Sequence, residues 1–325
     1  MNRGYLFILL ATLFFSSMET ALKTIAQDFH PLQLNCTRFL VGGLLLIPFA
    51  LRGLRQHGTR ADLRAWKGFA ALGFLGLFVS MVLYQTSILY TPASVVSVLF
   101  SCNPVMVLVF ACLFLRTAIL PQHVAALALE VAGALVIIDP FHTRLDPMGV
   151  TLVLLSAALF ALYAVLGKKQ CAEYSGIAVT CFSCLAASAE MLAFITLSHA
   201  PFFDALLRSC GLESFAAVPL LDGYTWDNIL MVVYVCVFVT GGGYAAYFMG
   251  MEATSPMQAS LVFFFKPVLA PILAMFFLGE AIPWNMWAGI ALILIASAVS
   301  MIPTLKTLSA LAPLLTGRFI RPPRH

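Results

Sequence analysis

The chain has 325 residues, of which 62% are hydrophobic and only 10% charged, and its mean hydropathy is +0.98. A water-soluble domain carries roughly 25% charged residues, so a single soluble globule is excluded and the surplus apolar surface has to face lipid. A net charge of +4 on such a chain is no nucleic-acid footprint; the positions of the positive residues carry the information.

Met1-Asn2-Arg3 and the apolar run behind it could open a secretory signal. The run passes any plausible cleavage point into Glu19 and Lys23, so it reads as an uncleaved first span. A span takes about 20 apolar residues. Ten are expected, at 5–26, 32–51, 66–89, 93–115, 121–139, 147–167, 177–198, 227–250, 256–278 and 284–303, with breakers at His30-Pro31, Thr91-Pro92, Pro121, Asp146-Pro147 and Ser255-Pro256. Residues 199–226 form a long connection that is a plain linker, a short surface helix or a partial lid. The tail 304–325 mixes Leu and Phe with Arg and Pro and suits a membrane interface.

Thr254 to Pro303 repeats an earlier stretch at a constant offset of 163 residues. Thr91 falls under Thr254, Ser97 under Ser260, Pro104-Val105 under Pro267-Val268, Phe114-Leu115 under Phe277-Leu278 and Pro140 under Pro303. Two matched prolines in matched surroundings point to two copies of one membrane unit, 5–139 and 147–303, followed by the tail 304–325. Five spans per copy is an odd number, so the second copy lies upside down. The expected fold is all-α: a polytopic membrane protein of ten transmembrane helices in two inverted five-helix repeats.

Charge supports that topology. With the N-terminus inside, the inner segments hold thirteen Lys and Arg, among them Arg52, Arg55, Arg60, Arg64, Lys67, Arg116, Lys168 and Lys169, while the outer loops hold only Arg144 and Arg208. Both termini are therefore expected in the cytoplasm. Eight cysteines are scattered through apolar runs; Cys181-x-x-Cys184 lacks further ligands nearby, so no metal and no cofactor is expected. The chain has no P-loop, zinc motif or GxSxG element. Gly241-Gly242-Gly243 inside a span suits close helix packing or a hinge.

Six charges fall within the expected spans: Glu19, Lys23, Arg38, Glu130, Glu190 and Lys266. Each costs at least about 2.5–3.5 kcal/mol near a span centre, so each needs a reason. Glu19 and Lys23 are spaced i, i+4 and share a face, either as a structural pair or as a gate or substrate contact. Lys168 lies 145 residues after Lys23 and reads as the matching helix-end lysine, an interfacial anchor. Asn103 and Lys266 occupy one repeat position, each just before a proline that frees the carbonyl four residues back. Such broken points build midplane sites, and Asn103 also suits a plain helix–helix hydrogen bond. Glu130 could pair with Lys266 or Arg38, bind a substrate amine, or carry a proton. Tyr84 and Tyr247 are repeat partners and Tyr163 adds a third hydroxyl within a span; all three suit a pocket or an interface. The expected substrate site is Asn103, Lys266, Tyr84, Tyr247, Glu130 and Tyr163, with Glu19, Lys23, Arg38 and Glu130 as gate or coupling groups.

Leu278-Gly279-Glu280 closing a span with an internal Lys266-Pro267 resembles the second repeat of an EamA-type transporter, a branch of the drug/metabolite transporter superfamily. Lys23, Arg38, Asn103-Pro104 and Thr91 to Ser94 resemble its first repeat. The likeness covers about residues 5–303. It implies ten helices around a central cavity and a secondary transporter of the bacterial cytoplasmic membrane that exports a small polar or amphipathic metabolite: amino-acid-like, nucleoside-like or drug-like. The chain departs from the pattern at Leu115-Arg116-Thr117, where Thr117 falls under Glu280, and at Glu130.

The partners expected are a small-molecule substrate and membrane lipids, with a proton as coupling ion where Glu130 carries one, in a monomer or homodimer. Rival readings are an uptake or exchange carrier for sugars or nucleotide conjugates, a membrane-embedded lipid-modifying enzyme using Glu130 and Lys266 as acid and base, and a non-transporting scaffold. The charge pattern generates a direct test. A cysteine engineered within 52–67 should resist an impermeant thiol reagent added to intact cells, and one within 199–226 should react; the reverse result overturns the topology.

Overall fold

The computed structural model describes residues 3–115, 121–139, 145–254, 256–259 and 262–301. The tail 304–325, Arg116, Thr117, Arg144, Ser260, Pro140 and Pro303 lie outside the described residues. Among those described there is no strand. Helices α1 (Arg3–Thr24), α2 (Pro31–Gln56) and α3 (Leu63–Tyr90) are followed by a broken pair, α4 (Ala93–Phe100) and α5 (Asn103–Leu115). Then come α6 (Pro121–Ile138), α7 (Pro147–Tyr174), α8 (Gly176–Ser198) and the short α9 (Pro201–Ser209). The last are α10 (Ile229–Ala253), the single turn α11 (Pro256–Ala259), α12 (Val262–Leu278) and α13 (Trp284–Met301).

Among the described residues, seven helical stretches are long and apolar enough to cross a membrane: α1, α2, α3, α4 with α5, α7, α8 and α10. Shorter apolar helices, Val124–Ile138, Phe265–Leu278 and Trp284–Ala296, stand where three further spans were expected. Leu13, Leu44, Phe49, Leu113 and Phe276 are exposed on the outside of the bundle, which an aqueous surface would not tolerate in such number.

The helices pack across the midpoint of the chain. The main pairings are α2 with α8, α6 with α13, α1 with α12 and α3 with α7. The core is thus shared between the two halves rather than owned by either. Close approach depends on glycine at particular points. A Cβ on Gly76 would sit 2.2 Å from the Tyr163 ring, and one on Gly243 would sit 2.8 Å from Phe15. Each of these glycines lies in a helix that widens locally into π-helical turns, at Gly73–Val79 in α3 and Val235–Tyr244 in α10. Such bulges redirect side chains within an otherwise regular helix.

Helix ends are held by side chains from distant parts of the chain. The Glu280 carboxylate accepts from the backbone N–H of Ala93 and of Ser94, each at 2.9 Å, and so caps α4. Glu252 accepts from the Gly176 N–H at the start of α8 and pairs through its other oxygen with His57 Nε2 at 3.1 Å. Nearer in sequence, His30 Nδ1 accepts from Leu32 N–H at 3.2 Å and Gln33 Oε1 from His30 N–H at 3.4 Å. Burial holds the His30 imidazole below its ordinary value, which suits an unprotonated Nδ1.

The connection 199–226 is neither bare linker nor free arm. It forms α9 and a 3₁₀ turn, Glu213–Phe215, and then packs back on the bundle. Gln33 Nε2 donates to the carbonyls of Leu220 and Asp222 at 3.1 and 2.7 Å, Val218 is buried, and Tyr224 lies 4.7 Å from Phe29. On the exposed face of α9, a hydrogen bond from Arg208 holds the Asp204 carboxyl below the usual carboxylate range.

Glu280 is the cap most open to test. Glu280→Ala should cost about 1–2 kcal/mol through the orphaned N–H groups of α4, and Glu280→Gln less than half of that. Thermal unfolding in detergent measures both, and equal unfolding of Ala, Gln and wild-type protein would remove the cap from the account.

Candidate functional site

Glu19 lies deep in the bundle on the face of α1 that also carries Phe15 and Met18, and it is 1% exposed. Its Oε1 forms an ion pair with Lys266 Nζ from α12 and accepts from the Tyr84 hydroxyl of α3. Lys266 is 0% exposed, and its ammonium lies 4.9 Å from the Phe100 ring centroid, 5.6 Å from Tyr84 and 5.9 Å from Phe263. Aromatic faces stabilise a desolvated cation by about 0.5–2 kcal/mol. The second carboxylate oxygen, Oε2, has no hydrogen-bond partner among the described residues.

Arg38 of α2 is the neighbouring buried cation, also 0% exposed. Its Nε donates to Asn35 Oδ1 at 2.7 Å, and Asn35 Nδ2 donates to the Met81 carbonyl at 2.9 Å. The guanidinium stacks on Phe39 at 4.6 Å and its Nη1 meets the Met18 sulfur at 3.6 Å. Nη2 has no partner among the described residues, and no carboxylate there forms an ion pair with Arg38. A fixed buried cation with a free donor suits an anionic group.

Between these groups is a cavity of about 10 Å³, lined by Phe15, Met18, Met81, Phe100, Phe160, Tyr244, Phe263 and Lys266. That volume holds at most about one water. Phe160 of α7 is the hub of its aromatic wall, 5.6 Å from Phe100, 5.9 Å from Phe263 and 5.9 Å from Tyr247. The site is polar at the ion pair and at Arg38, aromatic elsewhere, and closed in this conformation.

The sequence-derived residues divide. Glu19, Lys266, Tyr84 and Arg38 converge as described. Tyr247 and Tyr163 pack on Phe160, Tyr163 at 5.4 Å, and both hydroxyls lack a partner among the described residues. Asn103 takes the helix–helix alternative: its Nδ2 donates to the Ala157 carbonyl at 3.0 Å, tying α5 to α7. Glu130 does not pair with Lys266 or Arg38. It faces a separate cavity on α5 and α6, because α6 packs against α13 while α12 packs against α1. Lys23 does not pair with Glu19, although the two share a helix. Its ammonium turns to the C-terminal carbonyls of α3, donating to Ile88 and, at 3.5 Å, Thr91. Glu190 is half-buried and forms no ion pair among the described residues.

The Lys23 contact recurs. Lys168 Nζ donates to the carbonyls of Met251 and Thr254 at 2.7 and 3.3 Å. The two lysines are 145 residues apart, and both acceptor pairs are offset by 163. The two latches sit at opposite ends of the bundle, since Gly4 at the start of α1 adjoins Thr254 while Lys23 is at its end. Lys168 is therefore a helix-end latch rather than a simple lipid anchor. Asn35, Phe160 and Tyr244 were missed from sequence. For Asn35 a signal existed, its i, i+3 spacing to Arg38 on one helix face. Phe160 and Tyr244 are two apolar-looking residues among many and carried none.

Comparison with known proteins agrees with this architecture. A family model described as "EamA-like transporter family" matches residues 2–139 and again 147–302. An uncharacterized transporter of Clostridium kluyveri is 30% identical over 92% of this chain and 93% of its own length. One from Archaeoglobus fulgidus is 25% identical over 90% of this chain and 96% of its length, and the Escherichia coli inner membrane transporter YedA is 25% identical over 83% and 81%. A solved crystal structure of 20% identity superposes with a TM-score of 0.63 over 92% of this chain and 96% of that one, a likeness of fold. With its helices, its twofold family match and its full-length relatives taken together, this multi-pass membrane protein belongs to the EamA-like transporter family.

Proposed function

We propose that the chain is a secondary transporter exporting a small polar or amphipathic metabolite across a bacterial cytoplasmic membrane, with both termini in the cytoplasm. Its two halves, 5–139 and 147–303, act as inverted five-span repeats that exchange access to one central site. The observation that carries this reading is the closed aromatic cavity holding a buried ion pair, Lys266 with Glu19, beside the unpaired Arg38. The distribution of Lys and Arg supports the orientation, and the sequence has no nucleotide-binding motif to supply ATP energy.

The substrate class follows from the two free atoms. Glu19 Oε2 accepts, so it suits an amine or hydroxyl; Arg38 Nη2 donates, so it suits a carboxylate or another anion. An amino-acid-like zwitterion with an apolar side chain satisfies both, and the aromatic wall takes the side chain. Lys266 holds the Glu19 carboxylate in place between cycles. Alternating access then amounts to releasing one end at a time. The outer end is held by Lys23 on Ile88 and Thr91 and by Glu280 on α4; the inner end is held by Lys168 on Met251 and Thr254 and by Glu252 on α8. A charge-assisted hydrogen bond contributes about 1.5–3 kcal/mol, so each end can open at a cost that substrate binding offsets.

Two measurements test this. Metabolite profiling of cells with and without the protein should find one small amphipathic compound depleted inside and enriched outside. Lys266→Met should abolish that difference, and an unchanged profile would end the transport reading. In purified protein, Lys266→Met and Glu19→Gln should each lower stability, by up to about 3–5 kcal/mol for a pair broken on one side. The double variant should regain most of it without regaining export. Additive losses in the double variant would show that the two residues are not coupled.

A further inference from the structure

Glu130 sits in the middle of α6, 3% exposed, and Oε1 has no partner among the described residues. It lines a cavity of about 370 Å³ between α5, α6 and α7. The rest of the wall is apolar, including Met106, Phe110, Leu154 and Ala158, and no Lys, Arg or His is among its described lining residues. Val109, Leu127, Val131 and Leu135 line the cavity and are also exposed on the outside of the bundle, so its mouth opens sideways. In a membrane that mouth faces hydrocarbon, not water. The other side of α6 is occupied: Gly133 and Ile137 are pressed against Gly289 of α13.

A second feature meets the carboxyl here. The chain breaks between α4 and α5 at Ser101 and Cys102, and Cys102 lines the same cavity. Pro104 has no N–H, so the Phe100 carbonyl loses its helical donor at this break. A buried carboxyl whose Oε1 is unpartnered among the described residues, in the wall of an otherwise apolar chamber, calls for a cation with a greasy body. The central site offers no competing explanation for Glu130, since Lys266 is paired with Glu19 and Arg38 is held by Asn35.

We propose that this cavity is a second binding site, entered laterally from the bilayer, for a membrane-partitioned amphipathic amine whose ammonium pairs with Glu130. The alkyl or aryl body lies against Met106, Phe110 and Leu135. The volume is within the range of small-molecule sites, about 300–1,000 Å³. The site is distinct from the central cavity, and its occupancy is measurable without any transport.

Photoaffinity labelling of the purified full-length chain in nanodiscs tests it, using a diazirine-bearing alkylamine and the alcohol of the same length. Mass spectrometry should map amine adducts to Cys102–Phe110 and Leu127–Ile138, favoured over the alcohol by about tenfold, the ratio of one charge-assisted contact. Glu130→Gln should remove the preference and leave alcohol labelling unchanged; Glu190→Gln, a half-buried carboxyl on α8 outside both cavities, should leave both unchanged. Equal labelling by amine and alcohol in the wild type would mean an ordinary lipid-tail groove and would overturn the proposal. So would a preference that survives Glu130→Gln or disappears in Glu190→Gln.

If Glu130→Gln does not fold, the wild-type protein still decides. A hydrophobic carbodiimide adds the Glu130 carboxyl across its C=N bond, taking up the acid proton, and acyl migration leaves a stable N-acylurea with no other reactant. The amine should slow that modification several-fold and the alcohol should not; equal rates would overturn the proposal.

Discussion

An ammonium deep in a lipid-surrounded bundle cannot stay unpaired, and the pairing of Lys266 with Glu19 governs much else in this protein. It joins α12 to α1, helices from opposite halves of the chain, and the Tyr84 hydroxyl adds α3 to the same carboxylate. The aromatic rings around the ammonium then have a reason to be where they are. Phe100, Tyr84 and Phe263 replace part of the hydration that Lys266 gives up. Breaking one member of such a set leaves a bare charge, so the cluster is a structural knot.

The ends of the bundle obey a different constraint. Helix termini leave backbone groups unsatisfied, and here side chains distant in sequence supply the partners. Lysines serve carbonyl ends at Ile88–Thr91 and Met251–Thr254; carboxylates serve N–H ends at Ala93–Ser94 and Gly176. Each contact crosses between halves or between non-adjacent helices, so a terminus cannot move without releasing it. The bundle is thus shared across its midpoint and held at its ends by a few charge-assisted bonds.

The widened turns in α3 and α10 fit the same division. Both occur where glycine lets a neighbouring helix come within contact of the backbone, at Gly76 beside Tyr163 and at Gly243 beside Phe15. They bring bulky aromatics to the central wall without lengthening the helix. The connection 199–226, by contrast, closes over the α1–α2 corner through Gln33, Phe29 and Val218 and leaves the central cluster untouched.

Much of this was legible in the sequence. Apolar runs, proline breakers and the 163-residue offset are local or self-comparing signals, and a lipid environment makes them strict because every backbone group must be satisfied within a helix. The family resemblance rested on Leu278-Gly279-Glu280 and Lys266-Pro267 and agrees with the match over both halves. The repeat arithmetic also set Lys23 beside Lys168, although not what either lysine touches. The partner of each buried charge was decided only in three dimensions. Glu19 and Lys23 share a face, yet one turns to Lys266 and the other to carbonyl groups. Glu130 and Lys266 share a depth in their spans, yet α6 lies on α13 and α12 on α1, so they face different cavities. Hydropathy records that a helix is buried in lipid or protein; it holds no information about which neighbour lies against which face, and a Coulombic partner is chosen by that neighbour alone.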